Sequence, residues 1–379
     1  MTVAGIVCEY NPFHNGHKFH IKETRRKTGA DAIVAIMSGN LVQRGDVAVF
    51  PKEPRAKAAI EGGADLVLEL PTAHSMASAE FFAKGAVKAL DALGVVNFLS
   101  FGTECGNLDV LREIAEVLSN EPPEFSALLN KFSASGLSYP TARAKAVEKF
   151  LGKEKADILS SPNSLLGIEY LKALISQKSS IKPVAILRKG AGHDTQETND
   201  GIASASYIRD LIKRGKSFSE FIPHSTNSVF ENAVPHSITK LEKAILCHLI
   251  KTPAEDLRKI ADVGEGLENR IKAAALSSKT LDELYDVVKT KRYTHSRIRR
   301  IILSAFLGIT ENDRQASPRY IKILAHNETG QKIIAVAKKT STLPLLRNTS
   351  QVNKLGDPKI KALWERERVF DKIYEMTEI

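Results

Sequence analysis

The stretch Val3-Ala4-Gly5-Ile6-Val7-Cys8-Glu9-Tyr10-Asn11-Pro12-Phe13-His14-Asn15-Gly16-His17-Lys18 opens with an apolar run too short for a helix. Such a run, closed by a turn, reads as a buried parallel strand. Asn11-Pro12 ends it, and His14-Asn15-Gly16-His17 begins a helical pattern carried by Phe19, Ile21, Lys22 and Arg25. A strand feeding a helix through a tight turn leaves backbone N–H groups and the positive helix end at the strand's carboxyl edge. That is a place to hold phosphate. Gly16 sets no side chain between His14 and His17, so two imidazoles and an amide can converge on one anion as charge develops. The plainer alternative makes one histidine a helix cap and the other a metal ligand or satisfied polar residue.

A chain of 379 residues, 43% hydrophobic and 26% charged, has an ordinary globular composition and room for two or more domains. No segment approaches the roughly 18 uninterrupted apolar residues of a membrane helix, and the first strand is too short for a signal peptide. Cys8, Cys105 and Cys247 are widely spaced and show no metal-ligand pattern. A cytoplasmic protein with reduced thiols and no membrane partner is expected. The formal charge of +10 is unevenly placed, with +8 in residues 216–379 and +2 in residues 1–215. A basic second half beside a balanced first half points to a polyanionic partner.

Outward from the first strand, Asp31–Met37, Leu66–Leu70 and Asn97–Phe101 are further apolar runs. A loop from Leu41 to Pro51, a helix from about Pro54 to Glu61 and a helix over Ser78–Leu93 separate them. Alternation of this kind predicts an α/β fold: a Rossmann-like, doubly wound parallel sheet that binds ligands beyond its carboxyl strand ends. Gly102 follows one such end and can approach the same ligand, or be a plain turn glycine. Residues 107–176 read as largely helical, interrupted at Ser160–Ser164. Asn163 there either starts a helix or reads an adenine edge or ribose. Pro183–Leu187 supplies a fifth strand, followed at once by the basic, glycine-rich Arg188-Lys189-Gly190-Ala191-Gly192-His193-Asp194. Ala203-Ser204-Ala205-Ser206-Tyr207-Ile208-Arg209 opens another helix, where hydroxyls, amides and a guanidinium can meet a triphosphate. A serine cap beside a solvated arginine is the alternative.

The second half reads as helices over Leu241–Ile250, Gly266–Leu276, Leu281–Val288 and Ser296–Phe306, and Tyr320–Leu324 can form a late strand. Trp364 in the last helical segment is expected in a core. Lys289-Thr290-Lys291-Arg292-Tyr293-Thr294-His295-Ser296-Arg297-Ile298-Arg299-Arg300 is the densest basic segment of the chain.

The order strand, HxGH, helix, with a late serine motif ending in arginine, resembles the HxGH nucleotidylyltransferase superfamily. Ala203 and Ala205 depart from that superfamily's usual second signature. More specifically, Gly5–His17, Met37-Ser38-Gly39-Asn40, Gln43-Arg44-Gly45, Leu68-Glu69-Leu70-Pro71 and Ser100-Phe101-Gly102-Thr103-Glu104 resemble the bacterial tRNA(Met) cytidine acetate ligase family over most of the chain. The resemblance implies a two-step reaction. Acetate attacks the α-phosphate of ATP to give acetyl-adenylate and pyrophosphate, and the wobble cytidine of elongator tRNA(Met) then takes the acetyl group, forming N4-acetylcytidine and releasing AMP.

On this resemblance, residues 1–215 form the ATP-binding catalytic domain and 216–379 a mainly helical, basic tRNA-binding domain. His14, His17 and Lys18 are expected to stabilise the charged transition state, which needs no covalent nucleophile. ATP contacts are expected from Val7, Cys8, Glu9, Tyr10, Asn11, Pro12, Phe13, His14, Asn15, Gly16, His17, Lys18, Phe19 and His20, with Gly102, Asn163 and Arg188. Lys189, Ser204, Ser206 and Arg209 are added as phosphate ligands, and Mg2+ can accompany the ATP. Asn40, Gln43 and Arg44 lie in a loop suited to acetate, or simply organise it. Lys289, Lys291, Arg292, Arg297, Arg299 and Arg300 are expected to neutralise tRNA phosphates, with Tyr293 or His295 stacking on an unpaired base; a solvated helix with ordinary surface charge is the alternative. Two other readings differ in class: an adenylyltransferase acting on a small phosphorylated substrate, and a noncatalytic RNA-binding protein. The large basic second half argues against the former, the intact His14, Gly16, His17 and Arg209 against the latter.

Overall fold

The computed structural model describes residues 1–188, 201–264, 266–290 and 293–379. Strands β1 (Val3–Cys8), β2 (Ala32–Ser38), β5 (Leu66–Leu70), β6 (Phe98–Thr103), β7 (Lys182–Leu187), β8 (Ile321–His326) and β9 (Leu345–Leu346) form one sheet in the order β7-β6-β1-β2-β5-β8-β9. The β1, β2, β5, β6 and β7 ladders are parallel, as the interleaved helices require; β8 alone runs antiparallel to its neighbour β5. Every residue of β2 and β5 is buried, which is why both read as near-continuous apolar runs.

Helices cover both faces. Within β2, Val34 and Ile36 join the core formed with Phe82, Leu90, Ile114 and Ile168, while Ile33, Ala35 and Met37 face the opposite core with Phe13, Ile21, Ala59 and Ile208. The two-residue period of a strand makes this division. Because β1 pairs with β2 on one side and β6 on the other, the chain reverses its winding direction there, and the crevice at that reversal opens at the carboxyl ends.

The helices Glu242–Lys251, Leu267–Ser277, Leu281–Val288 and His295–Leu307 pack around their own core of Leu249, Ile271, Leu284, Val288 and Ile301. The second half is thus mainly helical, yet it also returns β8 and β9 to the sheet. The Leu41–Pro51 loop contains a short antiparallel hairpin, β3 (Leu41–Val42) with β4 (Asp46–Val47), which no sequence pattern announces because two-residue strands carry no alternation. The final helix, Pro358–Glu375, buries Trp364 and Tyr374 and packs the end of the chain back on the body. No helix among the described residues is long and apolar enough to cross a membrane.

Candidate active site

His14 has extended backbone and caps the helix Asn15–Thr28. Its Nδ1 accepts the Gly16 amide at 3.1 Å, while its own amide donates to Nδ1 of His17 at 3.2 Å. This is a capping box built from two imidazoles in place of the usual hydroxyl and carboxylate. The rings stack with centroids 3.6 Å apart. With each Nδ1 accepting from the main chain, a neutral ring carries its proton on Nε2. Burial, reinforced by the guanidiniums of Arg188 and Arg209, pushes His14 down to about 3. Burial, His14 and Arg188 lower His17 well below its ordinary value. Both histidines are therefore neutral Nε2–H donors at physiological pH, and the main chain sets their tautomer.

The other members of the Val7–His20 segment divide by role. Tyr10 and Phe13 are buried and set ring edges against each other and against His17, so they support the imidazole from its hydrophobic side. Asn11 is buried, and its side chain accepts the Val49 amide at 2.8 Å. Asn15 donates to the carbonyls of Gly201 and Glu220. His20, lowered to about 4 mainly by burial, bonds Ser100 on β6 at 3.0 Å. Burial also pushes the Cys8 thiol far up, which leaves it unionised. Lys18 is exposed in the first turn.

Three later segments converge on this turn. Ser204 caps the helix Ala205–Lys213 by accepting the Tyr207 amide and lies 3.1 Å from Ser206. One turn on, Arg209 donates to the Asn11 carbonyl at 2.9 Å, tying the second motif to the end of β1. Arg188 at the end of β7 donates to Asn163 at 3.4 Å, and Asn163 donates to Glu104 at 2.5 Å. A side chain at Gly102 would press on the Arg188 stem, so the glycine makes room for the arginine. Although burial opposes its charge, bonds from Asn163 and Ser164 hold the Glu104 carboxyl below its ordinary range. Lys189 lies outside the described residues, as do Lys291 and Arg292.

Several organising residues escaped the sequence reading. Arg55 is fully buried and donates to the carbonyls of Phe50, Glu9, Ser38 and Gly39, binding the ends of β1 and β2 together. Lys52 is buried between Glu69 at 2.8 Å and Asp371 at 2.6 Å, and Glu69 also meets Lys322, its cross-strand partner on β8, at 2.7 Å. A lone glutamate in one apolar strand and a lone lysine in another were the available signal. Asn40 gives its amide to Asp371 and accepts the Lys52 amide, so it organises the loop. The Gln43 amide donates to Glu9 at 2.7 Å; Arg44 is exposed.

The basic segment is more divided than its composition suggests. Tyr293 is buried, with the Arg297 guanidinium 4.9 Å over its ring, which removes it as a free platform for a base. Arg300 is mostly buried; it reaches the Gln43 carbonyl at 3.5 Å and faces Asp262, so it docks the helix on the hairpin and is withdrawn from phosphate contact. Arg297 and Arg299 are half-buried, Arg299 lying over Tyr285, and Lys289 is exposed.

Fold and site together are those of a nucleotidyl transferase, and the family model described as HIGH Nucleotidyl Transferase matches residues 1–378. The tRNA(Met) cytidine acetate ligase of Acetivibrio thermocellus is 39% identical over 99% of this chain and 95% of that protein; that of Halothermothrix orenii is 40% identical over 91% and 87%. The chain belongs to the tRNA(Met) cytidine acetate ligase family. Its structure is similar to that of Thermotoga maritima TmcAL in apo form, with a TM-score of 0.95 at 30% identity, covering 100% of this chain and 96% of that one. The Thermotoga protein bound with alpha-thio ATP matches at 0.93 and 30% identity, covering 100% of this chain and 95% of that one.

Proposed function

We propose that this chain activates acetate with ATP and transfers the acetyl group to the wobble cytidine of elongator tRNA(Met), leaving N4-acetylcytidine, AMP and pyrophosphate. The observation that carries the reading is the stacked His14–His17 pair, whose Nδ1 atoms are held by main-chain amides at a helix N-terminus. In the first step a carboxylate oxygen of acetate forms a bond to the α-phosphorus while the bond to the bridging oxygen breaks and pyrophosphate leaves. Negative charge grows on the nonbridging oxygens. Two fixed Nε2–H donors stabilise it without reorganising, and neutral rings do so without giving up a proton. Lys18, Arg188 and Arg209 supply positive charge around the phosphates, Ser204 and Ser206 hydroxyls, and Asn163 an amide for the nucleoside. Glu104 holds that amide in place.

Among the described residues, no group of three or more His, Cys, Asp or Glu is arranged to hold a metal ion. Mg2+ accompanying the ATP would supply further positive charge against the leaving pyrophosphate. Lys289, Arg297 and Arg299 form the electrostatic face for the tRNA backbone. The test is transfer of radiolabelled acetate to bacterial tRNA lacking the modification, with and without ATP, followed by nucleoside analysis. ATP-dependent label in acetylcytidine is expected. Protein that binds ATP yet leaves the tRNA unlabelled would end the proposal in favour of a small-molecule adenylyltransferase.

A further inference from the structure

The hairpin β3–β4 lies between the nucleotide site and the basic helix. At its turn Gly45 has φ +72°, and a Cβ there would collide with the backbone nitrogen of Arg300, so the hairpin and the helix His295–Leu307 touch main chain to main chain. On the other side, the Gln43 amide is bonded to Glu9 at the end of β1. The residue after Gly45 is Asp46, paired across the hairpin with Val42. Its Oδ1 accepts the Val47 amide at 2.8 Å, which orients the carboxylate; among the described residues no cation lies within ion-pair distance of it. Lys213 and Arg209 of one helix and Arg299 of the helical cluster act on it electrostatically. Arg209 also faces His14 and is bonded to Asn11. The field of one guanidinium thus reaches both His14 and this carboxylate.

We propose that Asp46 is the general base of acetyl transfer, taking the proton that the cytidine amine loses as it attacks acetyl-adenylate. The assignment rests on the function proposed above. The lone pair of that amine is delocalised into the pyrimidine ring, so it attacks weakly, and the adduct returns to reactants unless a proton leaves. In the step, the N4–C bond forms, the bond from acetyl carbon to the phosphate oxygen breaks, and AMP departs with that electron pair. The proton passes from N4 to an Asp46 oxygen and then to solvent. Competing carboxylates nearby are committed: Glu104 to Asn163 and Ser164, Glu69 to Lys52 and Lys322, and Glu9 to the Gln43 amide. Burial raises the Asp46 carboxyl above its ordinary range despite Lys213, Arg299 and Arg209, which makes it a stronger base than an exposed aspartate.

The test uses the full chain with ATP, acetate and unmodified elongator tRNA(Met), and follows the two half-reactions separately. Acetate-dependent pyrophosphate exchange, run without tRNA, reports adenylation; single-turnover labelling of tRNA between pH 5 and 8 reports transfer. D46N is expected to form acetyl-adenylate, to slow transfer by about 10²–10⁴-fold and to abolish the rise of transfer with pH. D46E is expected to recover part of the rate together with a displaced rise. Wild-type transfer by D46N with the pH rise intact would overturn the assignment, as would loss of exchange in D46N. Absence of exchange in the wild-type protein would instead strike the acetate reading itself and remove this assignment with it.

Discussion

The turn after β1 and the first turns of the helix His295–Leu307 both gather hydrogen-bond donors, and they are built in opposite ways. At the turn the donors are neutral imidazoles, stacked and oriented by backbone amides, with His14 buried. On the helix they are guanidiniums, with Arg297 and Arg299 resting on the rings of Tyr293 and Tyr285. Fixed neutral donors act at bonding distance and favour the charge of a transition state over that of a ground state. Half-exposed cations act at a distance, are screened by salt and bind reversibly. On the proposed function, chemistry and RNA capture draw on different physics in one chain.

The sharpest way to break this contrast is to remove what makes the first region rigid. Arg55→Ala would strip four buried carbonyls of their donor. At about 1–3 kcal/mol for each buried group left unsatisfied, with partial relaxation, a net loss of roughly 3–5 kcal/mol is expected. Urea unfolding measures it, and an unchanged midpoint would show that the strand ends hold themselves. His14→Ala acts on the chemistry instead. A loss of about 10²–10³ in acetate-dependent pyrophosphate exchange is expected, the cost of one oxyanion donor. Affinity for tRNA and its salt dependence should stay as they were. Wild-type exchange in this variant would sink the role of the imidazole pair.

What was legible from the sequence follows the same division. The strand–turn–helix unit at His14–His17 is local, so its backbone geometry can be read from adjacent residues. The tautomers that make it work were not legible, because they depend on which amide meets which nitrogen. Arg55 and Lys52 looked like ordinary residues of an amphipathic helix; only the fold brings Asp371 and the strand-end carbonyls to them. Likewise, charge density identified the basic segment but treated Arg300 and Arg299 alike. The close approach of the helix to Gly45 turns one inward and leaves the other half-exposed.

That last difference sharpens the RNA side. Arg297→Ala with Arg299→Ala is expected to reduce the dependence of log K on log salt by up to about 0.9 for each phosphate no longer neutralised. Arg300→Ala should leave that slope in place and lower stability, since it severs the bonds to Gln43 and Asp262. Binding titrations across a range of salt concentrations separate the three arginines. Equal slopes for wild type and the double variant would move the RNA face elsewhere.

The smallest expected effect is none, and it is informative for that reason. His14 is lowered to about 3 and His20 to about 4, and His17 is also well below its ordinary value, in each case chiefly by burial. Because a depressed imidazole gains its proton only when the pH falls to its lowered value, neither His14 nor His20 changes charge between pH 5.5 and 8, a range of about 2.5 units, and His17 is shifted in the same direction. Acetate-dependent pyrophosphate exchange should therefore be flat in pH over that range, while transfer to tRNA rises with pH through Asp46. A histidine-like step in the exchange rate would mean that the imidazoles titrate, and that the first region is less buried and less fixed than the second. Flat exchange beside rising transfer would place proton uptake on the hairpin between the two regions, with the paired imidazoles donating hydrogen bonds and transferring no proton.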